Sequence, residues 1–164
     1  MKEIIKEILT QNQERTPAKG LRTRDTNLSL DLDKIQTIIG PRRVGKTSAM
    51  QLAMEELKTT RGVAPDQILY FNFEDERLQF KPHELDLILQ AWQELHPENK
   101  LEDTWFFFDE VQAAPGWERF LNRINETWSK TISPLTTPAG TSADIISGSW
   151  CKNSLIRFCD AAAR

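Results

Sequence analysis

The chain has 164 residues, with 21 Lys and Arg against 24 Asp and Glu, a net charge of -3 and 39% hydrophobic residues. That is one ordinary domain, or one domain with a short appendage, and its charge excludes a protein that coats nucleic acid by bulk attraction while leaving room for a local basic patch. No apolar run approaches the roughly 20 residues that cross a bilayer, and MKEIIKEILTQNQER is too charged for a secretory signal. Two cysteines (Cys151, Cys159) and two histidines (His83, His96) lack the spacing of a zinc site or a disulfide scaffold, so the reading is a reduced, cytoplasmic protein.

Taken in chain order, residues 2–14 place Ile4, Ile5, Ile8 and Leu9 on one stripe, which predicts an amphipathic helix. Residues 15–27 carry Arg15, Lys19, Arg22 and Arg24 with Pro17 and Gly20, and read as a basic, solvated loop. Leu28, Leu30 and Leu32 alternate with polar residues before Asp33-Lys34, suggesting a hairpin that feeds a buried strand at Ile35–Ile39. Helical spacing follows over Thr47–Lys58, strand composition over Ile68–Phe73, helical spacing again over 83–95, and a nearly continuous apolar run over Thr104–Asp109. Trp117–Trp128 fits one more core helix behind Pro115-Gly116. This alternation predicts an α/β layered fold. After Thr131 the composition changes: SPLTTPAGTS reads as a loop, Ala143–Ile146 as a short strand and Ser154–Arg164 as a helix.

The sharpest signal is Gly40-Pro41-Arg42-Arg43-Val44-Gly45-Lys46-Thr47, a full match to G-x-x-x-x-G-K-[ST]. A chance match in a chain this long is on the order of one in a few hundred, and a predicted strand precedes it while a helix follows. Glycines let the backbone wrap a phosphate, and successive amides then converge at the positive end of a helix. Residues 40–48, Ser48 included, are the candidate nucleotide-binding segment. Lys46 supplies a charge for the β- and γ-phosphates and Thr47 a hydroxyl for Mg²⁺. Arg42 and Arg43 face either phosphate, a partner or, most simply, solvent.

Phe106-Phe107-Phe108 runs into Asp109-Glu110. Coupled to the cradle, this pair reads as a second magnesium motif, with Asp109 holding the metal and Glu110 polarising the attacking water as general base. Asn99-Lys100-Leu101-Glu102 imitates a guanine-reading motif but precedes the acidic strand; it reads as a solvated loop, and adenine is favoured. Glu74, Asp75 and Arg77 follow a strand at the edge where open α/β sheets bind ligands, and read equally as nucleotide-state relays or local charge pairs. Gln112 reads as a contact to the reacting water or a surface helix start, and Trp92, Trp105 and Trp117 as core or packing anchors.

TIIGPRRVGKTS at 37–48, YFNFEDERL at 70–78 and FFFDEVQAAPGWERFLNRI at 106–124 together resemble the ATPase core of a bacterial and archaeal AAA-like P-loop family, in which that core precedes a C-terminal domain of unknown function. The resemblance implies a three-layer αβα sandwich with a mainly parallel sheet, C-terminally incomplete here, through truncation or a change of reading frame over the last ~35 residues. It also implies a strand between the cradle strand and the acidic strand, ending in a polar sensor. The nearest match is Ile145-Ile146-Ser147-Gly148-Ser149, with Ser147 or Ser149 as sensor. Without a strand beyond it, the cradle strand would lie near an open sheet edge.

The expected organisation is an N-terminal helix and basic loop at 1–27, an ATPase core at 28–128 and an atypical tail at 129–164. The expected function is Mg²⁺-dependent ATP binding and hydrolysis that drives a conformational change, with a protein partner or self-association and no membrane. Two alternatives are a nucleotide-binding module without useful turnover and a fragment of a DNA-processing motor.

Overall fold

The computed structural model describes residues 1–14, 28, 30, 36–40 and 43–128, together with the strands at 131–136 and 155–157. Its elements are α1 (Lys2–Glu14), β1 (Gln36–Gly40), α2 (Lys46–Thr59), β2 (Ile68–Asn72), α3 (Asp86–Leu95), β3 (Trp105–Asp109), α4 (Trp117–Thr127), β4 (Thr131–Thr136) and β5 (Leu155–Arg157). The strands form one sheet in the order β2-β3-β4-β1-β5, and every pairing is parallel.

Period-two alternation divides the central strands between two cores. Leu69 and Phe71 of β2 and Phe106 and Phe108 of β3 face one side, where α1, α3 and α4 contribute Ile5, Ile8, Leu9, Ile88, Trp92, Phe120, Leu121 and Ile124. Ile68 of β2 and Phe107 of β3 face the other, with Met50, Ala53 and Leu57 of α2. Helices therefore cover both faces, the three-layer arrangement expected of continuous apolar strands. Each fully buried side chain of this kind contributes about 1.5–3 kcal/mol, and Phe108 adds edge and tilted ring contacts to Phe73 and Phe120.

Several expectations are corrected. The hairpin expected before β1 lies mostly outside the described residues, of which Leu30 is buried in a turn; both edges of β1 are occupied by parallel neighbours, β4 and β5. For the same reason the cradle strand is interior to the sheet rather than near an open edge. The strand separating it from β3 is β4, Thr131–Thr136, not Ile145–Ser149. Ser133–Thr136, read as loop, is thus strand, and Leu155–Arg157, read as the start of a helix, is strand as well. Pro134 explains part of the error, since a proline argues against an interior strand. The pairing of β4 with β3 ends at Ile132, two residues before that proline, while pairing with β1 continues to Thr136. The helix predicted from 83 begins at Asp86, because Pro82 and His83 lie in a turn closed by Glu84, whose carboxylate accepts from the Lys81 amide.

β2 is an outer strand. Asn12 of α1 donates its side-chain amide to the Tyr70 carbonyl at 3.3 Å, and α1 lies against both β2 and α3. Among the described residues a side chain rather than another strand meets that edge, one way of blunting it against foreign pairing.

Candidate functional site

Because the strands are parallel, β1 and β3 deliver their C-terminal residues, Gly40 and Asp109, to the same edge of the sheet. The chain leaves β1, passes Arg43 with φ +65° and Gly45 with φ +100°, and enters α2 at Lys46. Gly45 is the N-terminal cap residue; no side chain caps this helix and no acid stands in its first turn. The helix dipole at this end favours an anion. Val44 anchors the loop in the α2-side core, whereas Arg43 is exposed. Ser48 is half-buried on the first turn of α2. Pro41 and Arg42 lie outside the described residues, as do the candidate sensors Ser147 and Ser149 and the basic loop from Arg15 to Arg24.

Lys46 is 5% exposed, and its ammonium donates to the Gly40 carbonyl at 2.9 Å. The lysine is thereby folded back over the loop that a phosphate would fill. Thr47 donates its hydroxyl to Asp109 Oδ2 at 2.8 Å, joining residues 62 apart in sequence. Tyr70 on β2 donates to the same oxygen at 3.1 Å. Asp109 is 2% exposed, and among the described residues its other oxygen, Oδ1, is buried with no hydrogen-bond partner. Burial pushes this carboxyl above its ordinary range and the Glu110 charge pushes the same way, against the hydrogen bonds from Thr47 and Tyr70 and the Lys46 charge.

Glu110 leaves β3 with φ +52°, a left-handed conformation that costs a non-glycine residue about 1–2 kcal/mol. Strain of this kind collects at functional positions. Gln112, in the following 3₁₀ turn, donates its amide to the Glu110 carboxylate.

These atoms suit a small hard cation. Such ions take oxygen ligands and keep several waters, needing only one or two carboxylates when phosphate supplies the rest. The Thr47 hydroxyl and the unpartnered Asp109 Oδ1 are oxygens of this sort, and the buried lone oxygen is the observation that favours the fit. Among the described residues no cluster of three or more His, Cys, Asp and Glu is placed to hold a metal ion.

Of the other sequence candidates, Asp75 and Arg77 pair with each other at 2.8 Å, and Arg77 continues to Gln11 and Glu7 of α1; the local charge-pairing reading holds for them. Asn99 donates to the Asp66 carbonyl ahead of β2, at the edge opposite Asp109. Trp92 is buried core. Tyr70 joins these residues only through the fold. The available signal was a phenol in a buried strand, which requires a hydrogen-bond partner.

A parallel sheet covered on both faces, with a glycine-bounded loop running from its interior strand into a helix, defines a P-loop nucleotide-binding domain. Residues 32–147 match the AAA_14 family, described as an AAA domain, and the chain belongs to that family. Its curated relatives include the uncharacterized protein MJ1544 of Methanocaldococcus jannaschii, 31% identical over 126 residues, covering 76% of this chain and 26% of that protein. An uncharacterized protein of Haemophilus influenzae is 31% identical over 118 residues, covering 72% and 28%. The chain thus spans about a quarter of the length of these relatives. Among solved structures, C. elegans PCH-2 is similar over 95% of this chain and 41% of its own, with a TM-score of 0.48 and 13% identity. Among the described residues no helix is long and apolar enough to cross a membrane.

Proposed function

We propose that this domain binds ATP with Mg²⁺ and hydrolyses it in the cytoplasm, using the nucleotide cycle to move a partner protein or another part of a longer chain. The Thr47–Asp109 hydrogen bond carries the reading, because it joins the end of the phosphate-type loop to the acidic tip of a different strand. The backbone N–H groups of residues 40–47, Pro41 excepted, bind the phosphates. Lys46, released from the Gly40 carbonyl, holds the β- and γ-oxygens as a point charge. Thr47 and Asp109 hold the metal, which would neutralise charge on the phosphates. Glu110 orients the attacking water and accepts its proton.

Gln112 favours a resting state, since its amide already occupies the Glu110 carboxylate. A domain that binds ATP and turns over only when a partner draws Gln112 away is the second reading. Calorimetry and phosphate release test both. Lys46→Ala should abolish measurable Mg·ATP affinity; undiminished affinity would falsify the site. Glu110→Gln should keep affinity and lose at least about 100-fold in turnover. Equal background release from both proteins selects the non-hydrolysing module.

A further inference from the structure

The Asp109 carboxylate is held asymmetrically. Oδ2 accepts two hydrogen bonds, from Thr47 at 2.8 Å and from Tyr70 at 3.1 Å. Oδ1 is buried and, among the described residues, accepts none. The two donors differ in kind. Thr47 stands on the first turn of α2 and would turn a lone pair of its own oxygen toward a cation while its hydrogen stays on Asp109, so it serves ligand and carboxylate together. Tyr70 is a rigid ring on β2, in register with Phe107 one strand away, and packs against the α2-side core. Its hydroxyl is the one donor to Asp109 that has no ligand to serve.

We infer that Tyr70 is a positioning residue: by donating to Oδ2 it fixes the rotation of the Asp109 carboxylate and presents Oδ1 to the divalent cation of the nucleotide site. This rests on the Mg·ATP reading above. Groups that orient a metal ligand from behind typically change metal affinity 10–100-fold when removed, because an unheld carboxylate samples rotations in which neither oxygen faces the ion. In that reading the phosphates are held by the loop amides and Lys46, and Tyr70 donates to Asp109.

Two measurements on the full chain decide it. The first is binding of a fluorescent ATP analogue as Mg²⁺ is titrated, alongside binding in excess EDTA. Tyr70→Phe, which keeps the ring, should raise the Mg²⁺ concentration for half-maximal binding about 10-fold or more and leave the EDTA affinity unchanged. In an Asp109→Asn background the same substitution should add nothing. The second needs no nucleotide. The chain has a single tyrosine, so fluorotyrosine labelling places one fluorine resonance at this ring, and Asp109→Asn should shift it. An unmoved resonance, a Tyr70→Phe protein with the unaltered Mg²⁺ dependence, or an equal weakening with and without Mg²⁺ each overturns the role of Tyr70 while leaving the site reading intact. Absence of Mg²⁺-dependent binding in the unaltered chain overturns both.

Discussion

Single residues here are constrained by backbone as much as by side-chain chemistry. Gly116 and Gly62 both have left-handed φ, +83° and +65°. They differ in surroundings: a Cβ at Gly116 would meet Pro82 at 3.2 Å, whereas one at Gly62 would meet nothing within 4 Å. Gly62→Ala should cost about 1–2 kcal/mol for the backbone conformation alone. Gly116→Ala should cost at least about 1 kcal/mol more, because the neighbour it strikes is backbone and proline rather than a flexible side chain. Urea unfolding of the two variants checks the order, and equal losses would show that Pro82 gives way freely. Glu110 shows the opposite preference, a charged residue kept in glycine's conformation beside a buried aspartate.

Elements in this fold are joined by charge at their surfaces and by apolar burial beneath. α1 meets α3 through Ile5, Ile8 and Leu9, and Glu94 of α3 receives both Lys2 and Lys6 of α1, at 2.6 and 2.7 Å. These two ammonium groups pull the Glu94 carboxyl down from 4.5 to about 2. A carboxylate lowered by folding stabilises the native state fully above its unfolded value and loses that contribution as pH falls toward the folded value. The unaltered protein should therefore exceed Glu94→Gln in denaturant midpoint at neutral pH. That margin should close between pH 4.5 and 2, and shrink in high salt because the pair is partly exposed. A margin independent of pH would mean that the glutamate acts by packing instead.

At the scale of the molecule, the sheet order β2-β3-β4-β1-β5 places β4 between the loop strand and the acidic strand. Gly40 and Asp109 are therefore not direct neighbours in the sheet, and a side chain from α2, Thr47, spans the gap. A ligand that fills this gap binds only the folded state. Mg·ATP at 100 times its dissociation constant should add about 2.7 kcal/mol to stability and raise the thermal midpoint by several degrees. Lys46→Ala should show no such rise; an equal rise in that variant would place the nucleotide elsewhere.

What could be read in advance follows from how local each determinant is. The cradle loop, the α2 start and the Asp109-Glu110 pair are contiguous words whose chemistry needs few neighbours, and α1, β2, β3 and α4 announce themselves by periodicity. The neighbours of β1 could not be read that way, because strand order is a long-range choice: Pro134 and the SPLTTP composition argued locally for a loop, yet pairing with β1 makes Thr131–Thr136 a strand. The same holds for the hydrogen bonds on Asp109, since Tyr70 and Thr47 reach it from 39 and 62 residues away. The chain alone determined the phosphate loop, the acidic pair and an alternating α/β plan, because short-range geometry and burial suffice for them. Only the tertiary structure decided which strand lies between the two motifs and which oxygen of Asp109 is, among the described residues, left without a donor, because those depend on groups distant in sequence meeting in a buried place.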